Sequence, residues 1–186
     1  MTILSINHLH QIPAIPLTVE LARGNRSLTH ELATEKLKCT LHEAAHLIAA
    51  TACPKSTITK VFIHPTGKGW RGSGGNFKSL EKFDDETSFV SLAGYAWEEL
   101  HGDVDTARGD YKDGFNPQYP EMLDTARAFI IRHDDLIRYA AVGILCLGTK
   151  KGMLDGDKLK ALVKWLKPHV TIFHSQDAKY PSFLKI

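Results

Sequence analysis

A chain of 186 residues, 43% hydrophobic and 24% charged, is long enough to bury one core and too apolar to remain unfolded. Lys and Arg number 23 against 21 Asp and Glu, a formal charge of +2 that argues against a nucleic-acid stripe or a polybasic membrane anchor. Three cysteines, Cys39, Cys53 and Cys146, lack C-x-x-C spacing, which excludes a disulfide scaffold and suits a reducing, cytoplasmic setting.

Residues 1–28 carry Pro13, Pro16 and Gly24 among polar residues and read as an N-terminal arm. His8, His10 and Pro13 interrupt the apolar stretch that a secretory leader requires. From Thr29 to Ala52 neither Gly nor Pro occurs, and Leu37, Leu41, Ala44, Ala45 and Ile48 recur at helical spacing. The pattern predicts one long helix, or two meeting near Thr34, stopped by Pro54. Ile58–His64 alternates with β-branched residues and predicts a strand. Gly67–Gly75 predicts a hairpin loop, with a second short strand through Asn76 and Phe77.

Asp84 or Asp85 is placed to cap a helix running to about Leu100. Residues 101–117 are polar and turn-rich. Helices are expected over Glu121–His133, Asp134–Leu147 and Asp155–Leu166, the last stopped by Pro168. The longest near-apolar run, Tyr139–Leu147, is about half of what a membrane-spanning helix needs, so no membrane span is expected. The fold expected is α+β and mostly α-helical, with a small sheet or hairpin and a C-terminal helical part. It forms one domain over residues 29–168, between the arm and a tail at 169–186.

The chemistry is concentrated in His42-Glu43-Ala44-Ala45-His46. Histidines four apart on a helix project from one face, one turn above the other. Two imidazoles so placed can bind one zinc ion at a metal–nitrogen distance of about 2.0–2.1 Å. Glu43 then reaches a metal-bound water without filling a coordination position, the arrangement of a zinc peptidase whose glutamate is the general base. Paired histidines also occur in core helices for packing reasons. Here the surrounding apolar positions bury the helix, and two imidazoles and a carboxylate buried without a partner are costly.

A catalytic zinc needs a third protein ligand. Ala49 and Ala52 stand where a metzincin has Gly and His, which excludes that class. Cys39 lies on the ligand face but is read as a core residue. Glu98 and Glu99 on the next long helix, and Asp103, Asp105, Asp110 and Asp113 beyond it, are the remaining carboxylates. His64, His101, His133, His169 and His174 are read as surface or capping residues, and the later helices as completing the core.

These pieces resemble the peptidase domain of the FtsH-type AAA-linked zinc proteases. The resemblance rests on His42–His46, on Lys60–Pro65, on Ala93–Leu100 (AGYAWEEL) and on Thr106–Lys112 (TARGDYK), in that order, across about half the chain. It implies that His42, His46 and Asp110 ligate zinc and that Glu43 is the base. Glu98 would orient a ligand histidine by accepting its other ring N–H; Glu98 as third ligand is the competing assignment. Asp103, Asp105 and Asp113 are read as solvated loop acids.

Three departures stand out. Ala45 replaces the family glycine, Trp97 replaces a small residue, and no G-x-x-x-x-G-K-[ST] ATPase motif is present. The function expected is a zinc metallopeptidase, an endopeptidase acting on protein or peptide substrates held as an added strand along Val61–His64 or Gly75–Phe77. A separate ATPase partner or homo-oligomer would accompany it by the same resemblance. The alternatives are an inactive regulatory module of the same fold, and a zinc hydrolase of non-peptide amides. Nucleic-acid binding through Lys68, Arg71 and Lys78 is disfavoured by the near-neutral charge.

Overall fold

A computed structural model describes residues 30–66, 69–74, 85–101, 107–149 and 152–174. It is an α+β fold, mostly α-helical. Helix α1 (His30–Ala52) leads into strands β1 (Lys60–Thr66) and β2 (Gly69–Gly74), then α2 (Asp85–His101) and the short α3 (Arg108–Gly114). Helices α4 (Glu121–Arg132) and α5 (Asp134–Leu147), strand β3 (Met153–Asp155), helix α6 (Gly156–Leu166) and a 3-10 turn at Lys167–His169 complete it.

Helix α1 is the central element, because its second half is buried on every side. Residues 43–53 are all buried, and five of them, Ala44, Ala45, Ala49, Ala50 and Ala52, are small enough to let neighbours approach closely. It packs against α2, α5 and the β1–β2 hairpin. The buried Thr40 and Thr51 satisfy their hydroxyls within the helix, Thr40 on the Lys36 carbonyl at 2.7 Å and Thr51 on that of Leu47 at 2.8 Å.

The sheet is antiparallel throughout, in the order β2-β1-β3. Val61, Ile63 and Leu154 turn inward and are buried, whereas Phe62 and His64 face the other way. Gly152 (φ +76°) joins this sheet by a close approach: the Ile63 N–H donates to its carbonyl at 2.8 Å, and a Cβ there would overlap the Ile63 carbonyl oxygen.

Two expectations need correction. Residues 69–74 lie in β2, the second strand, and not in a loop; their register on β1 (Phe62↔Ser73, His64↔Arg71) satisfies a glycine-rich segment whose composition gives no strand signal. Asn76 and Phe77, expected to form that strand, lie outside the described residues. The polar stretch after α2 holds a helix, α3. His133, read as a surface or capping residue, is buried at the junction of α4 and α5, where it caps the end of one and the start of the other.

The core does not stop at Pro168. Val170 and Phe173 are buried, Phe173 stacks on Phe89 (centroids 4.2 Å, 11°), and its N–H donates to the Ala52 carbonyl at 2.9 Å. Among the described residues no helix is long and apolar enough to cross a membrane.

His133 ties this last segment down. Its Nδ1 donates to the Phe129 carbonyl at 2.8 Å, which leaves Nε2 to accept the Thr171 N–H at 3.2 Å. Burial lowers its pKa below the ordinary 6.5, against the opposing pull of the Phe129 carbonyl. The folded state therefore favours the neutral ring. Its contribution to stability is complete above pH 6.5 and is lost as pH falls through the depressed folded value. Urea unfolding of wild type and His133→Gln at a series of pH values should show a stability difference that shrinks on acidification. A difference independent of pH would contradict this assignment.

Candidate metal centre

Helices α1 and α2 run antiparallel, and one stripe of each meets the other. On α2 the stripe is Val90, Gly94 and Glu98, spaced four apart; on α1 it is His46 and His42. The Val90 carbonyl accepts the His46 Nδ1–H at 2.7 Å, and the Glu98 carboxylate takes His42 Nδ1 at 3.0 Å. Between them Gly94 leaves its side-chain volume to the rings. A Cβ there would overlap His46 Nε2 and lie 3.0 Å from His42 Cε1.

These contacts decide which ring atoms are left over. A carbonyl and a carboxylate only accept, so each Nδ1 carries the proton and each Nε2 presents a lone pair. The two Nε2 atoms are 3.1 Å apart. Asp110, from α3, brings Oδ2 to 3.0 Å from His42 Nε2 and 3.5 Å from His46 Nε2. His42, His46 and Asp110 thus form a group whose ligand atoms all lie within 4.8 Å of one another. Three acceptors converging in a largely buried place repel each other unless positive charge sits among them.

The titration of the cluster reports the same demand. Burial opposes charge on His42, but Asp110 and Glu98 outweigh it and push the ring up to about 10. His46 is buried still more completely and is also raised, through Asp110. Burial would raise Asp110, yet the two rings hold its carboxyl well below the usual carboxylate range. A divalent cation supplies the same charge with no proton required. The donor set therefore fits a metal ion.

Glu43 lies beside this group, 3% exposed, and its buried Oε2 has no hydrogen-bond partner among the described residues. Burial raises its pKa, with His46 and His42 pulling the other way. The wall over it is β2: a Cβ on Gly72 would overlap the Glu43 carboxylate, so only glycine lets the strand pass there.

The structure therefore brings together His42, Glu43, His46, Glu98 and Asp110. Glu98 lies behind His42 on the Nδ1 side and outside the three converging ligand atoms. Cys39 is half-buried, and burial, reinforced by Glu43 and Glu98, raises its thiol to about 12, which disfavours the thiolate that a metal would need. Asp103 and Asp105 lie outside the described residues, and Asp113 is exposed. Trp97, the bulky departure, is buried and stacks on His101 at 4.0 Å.

Comparison with models of known families, with curated proteins and with solved structures finds no match. The geometry stands by itself.

Sequence reasoning passed over Gly72, Gly94 and the Val90 carbonyl. Gly94 carried a signal, since glycine inside a helix costs about 1 kcal/mol relative to alanine and so marks close approach. Gly94→Ala should fold and yet lose zinc affinity by at least about 10-fold, the scale for disturbing ligand orientation. Competition against a chromophoric chelator measures this; wild-type affinity in the variant would contradict the assignment.

Proposed function

We propose that this chain is a zinc-dependent metallopeptidase that cleaves extended peptide segments, with His42, His46 and Asp110 as metal ligands and Glu43 as general base. The observation carrying this reading is the buried Glu43 Oε2, without a hydrogen-bond partner among the described residues, beside three converging acceptors. An ionisable oxygen left without a partner costs free energy on folding, and a purely structural metal site has no use for it.

Zinc held by these three residues would supply Lewis-acid chemistry, lowering the pKa of water toward about 7 and polarising a carbonyl. Glu43 takes the proton of the attacking water and returns it to the leaving amine. Its burial raises the carboxylate's pKa above the ordinary value, against the pull of His46 and His42, which makes it a stronger base than a solvated glutamate. Glu98 and the Val90 carbonyl keep both rings in the tautomer that leaves Nε2 for the metal.

The sheet supports an extended substrate. Central β1, with β2 and β3 on either side, has no free edge along Val61–His64, and Gly75–Phe77 falls outside the described residues. The edge strand β2 takes the docking role expected of them. Ile63 turns its polar backbone toward Gly152, so in antiparallel alternation Phe62 and His64 bond to β2. Gly72, paired with Ile63, then directs its own N–H and C=O to the outer edge, beside Glu43. A peptide added there must be extended, so unfolded or flexible segments are the substrate class.

Digestion of unfolded casein with and without zinc tests the proposal. Wild type should cleave in a zinc-dependent manner, while Glu43→Gln keeps zinc and loses about 10²–10⁴-fold in kcat. Gly72→Ala, whose Cβ displaces the carboxylate, should also keep zinc and lose turnover. Undiminished cleavage by Glu43→Gln would end the proposal. Zinc binding with no cleavage of any peptide would favour the regulatory module or the non-peptide amide hydrolase.

A further inference from the structure

Asp110 is the one converging ligand that does not come from α1, and its carrier α3 is only seven residues long. A helix that short has little stability of its own, so its docking decides where the carboxylate sits. Ala107, Asp110, Tyr111 and Gly114 follow i, i+3, i+4, i+7 spacing and share one face. Arg108, Gly109, Lys112 and Asp113 are exposed, whereas Ala107 and Gly114 are buried.

Two contacts seat that face on α2. A Cβ on Gly114 would lie 2.8 Å from the Ser88 carbonyl oxygen and 2.9 Å from side-chain atoms of both Leu92 and Ser91. The end of α3 thus rests nearly backbone to backbone on α2. The Tyr111 ring packs on Tyr95, which directly follows Gly94, with centroids 4.8 Å apart, and stacks on Phe115 at 4.7 Å.

We propose that Gly114 and Tyr111 are positioning residues for the metal centre, setting the height of α3 and thereby the reach of Asp110 to the two histidines. The inference rests on the metal-centre reading given above. Magnitudes favour it. Alanine at 114 would have to back away by about 0.6 Å to turn 2.8 Å into an ordinary 3.4 Å contact. Ligand distances tolerate only about 0.2 Å. Asp110 is one helical turn from that pivot and moves with it.

The test is zinc affinity of the full chain, measured by chelator competition in wild type, Gly114→Ala, Tyr111→Ala, Tyr111→Phe, Asp110→Ala and the doubles Asp110→Ala/Gly114→Ala and Asp110→Ala/Tyr111→Ala. Gly114→Ala and Tyr111→Ala should each weaken zinc binding on the order of 10–100-fold. Tyr111→Phe, which keeps the ring contacts, should restore wild-type affinity. Each double should bind no more weakly than Asp110→Ala, because the effect passes through that carboxylate. Circular dichroism of the metal-free proteins checks folding, and the Tyr111 pair carries the test if Gly114→Ala does not fold. Wild-type affinity in the folded alanine variants, or additive losses in the doubles, would overturn the positioning role alone. A wild type that binds no zinc would overturn the metal-centre reading and this inference together.

Discussion

The site depends on the contact between α1 and α2, where two helices lie close enough for the backbone of one to touch the rings of the other. Gly94 permits that approach, and the groups a turn on either side of it orient the histidines. Because both Nδ1 atoms are engaged, both Nε2 lone pairs turn into the same small volume. The Asp110 carboxylate enters from a third direction. Such an arrangement is stable only with positive charge at its centre, and protons and metal ions compete for that place.

The rest of the fold serves this contact. Phe89, Phe129 and Phe173 form an aromatic group that joins α2 to α4 and to the last described segment, with Phe129 edge-on to Phe89 at 5.0 Å. Arg127 pairs with Glu99 at 2.6 and 2.7 Å, tying α4 to the turn of α2 that carries Glu98. This partly exposed pair adds orientation more than stability. Strand β2 packs on α1 and closes over Glu43, with its outer edge unpaired among the described residues. Glycine at 72 reconciles these requirements, because a Cβ there would collide with the Glu43 carboxylate.

Much of this was readable beforehand. The long helices carry strong periodicity, and their bounds agree with the expected ones to within a few residues, α1 and α5 among them. The pairing of His42 with His46 follows from helical geometry alone, and the carboxylates at 98 and 110 were candidates from their chain order. Elements made of glycine and polar residues were not readable. Strand β2, written Gly-Trp-Arg-Gly-Ser-Gly, exists through its register on β1, and α3 through its seat on α2. A lone histidine has no pattern, so the sequence leaves His133 as a surface or capping residue. Its role emerges only where the Phe129 carbonyl and Thr171 N–H meet it from opposite sides.

The sequence by itself determined which residues are candidates for metal chemistry and that two of them share a helical face, since spacing along a helix is a local property. Tertiary structure alone decided that Asp110 joins those rings while Glu98 stands behind one of them. It also decided that Gly72 and Gly94, with no functional group to announce them, give the Glu43 carboxylate and the two histidine rings their room. The reason is physical. Local spacing dictates direction, but separation between distant segments depends on how closely two backbones pack, and that distance is set by side chains that are absent.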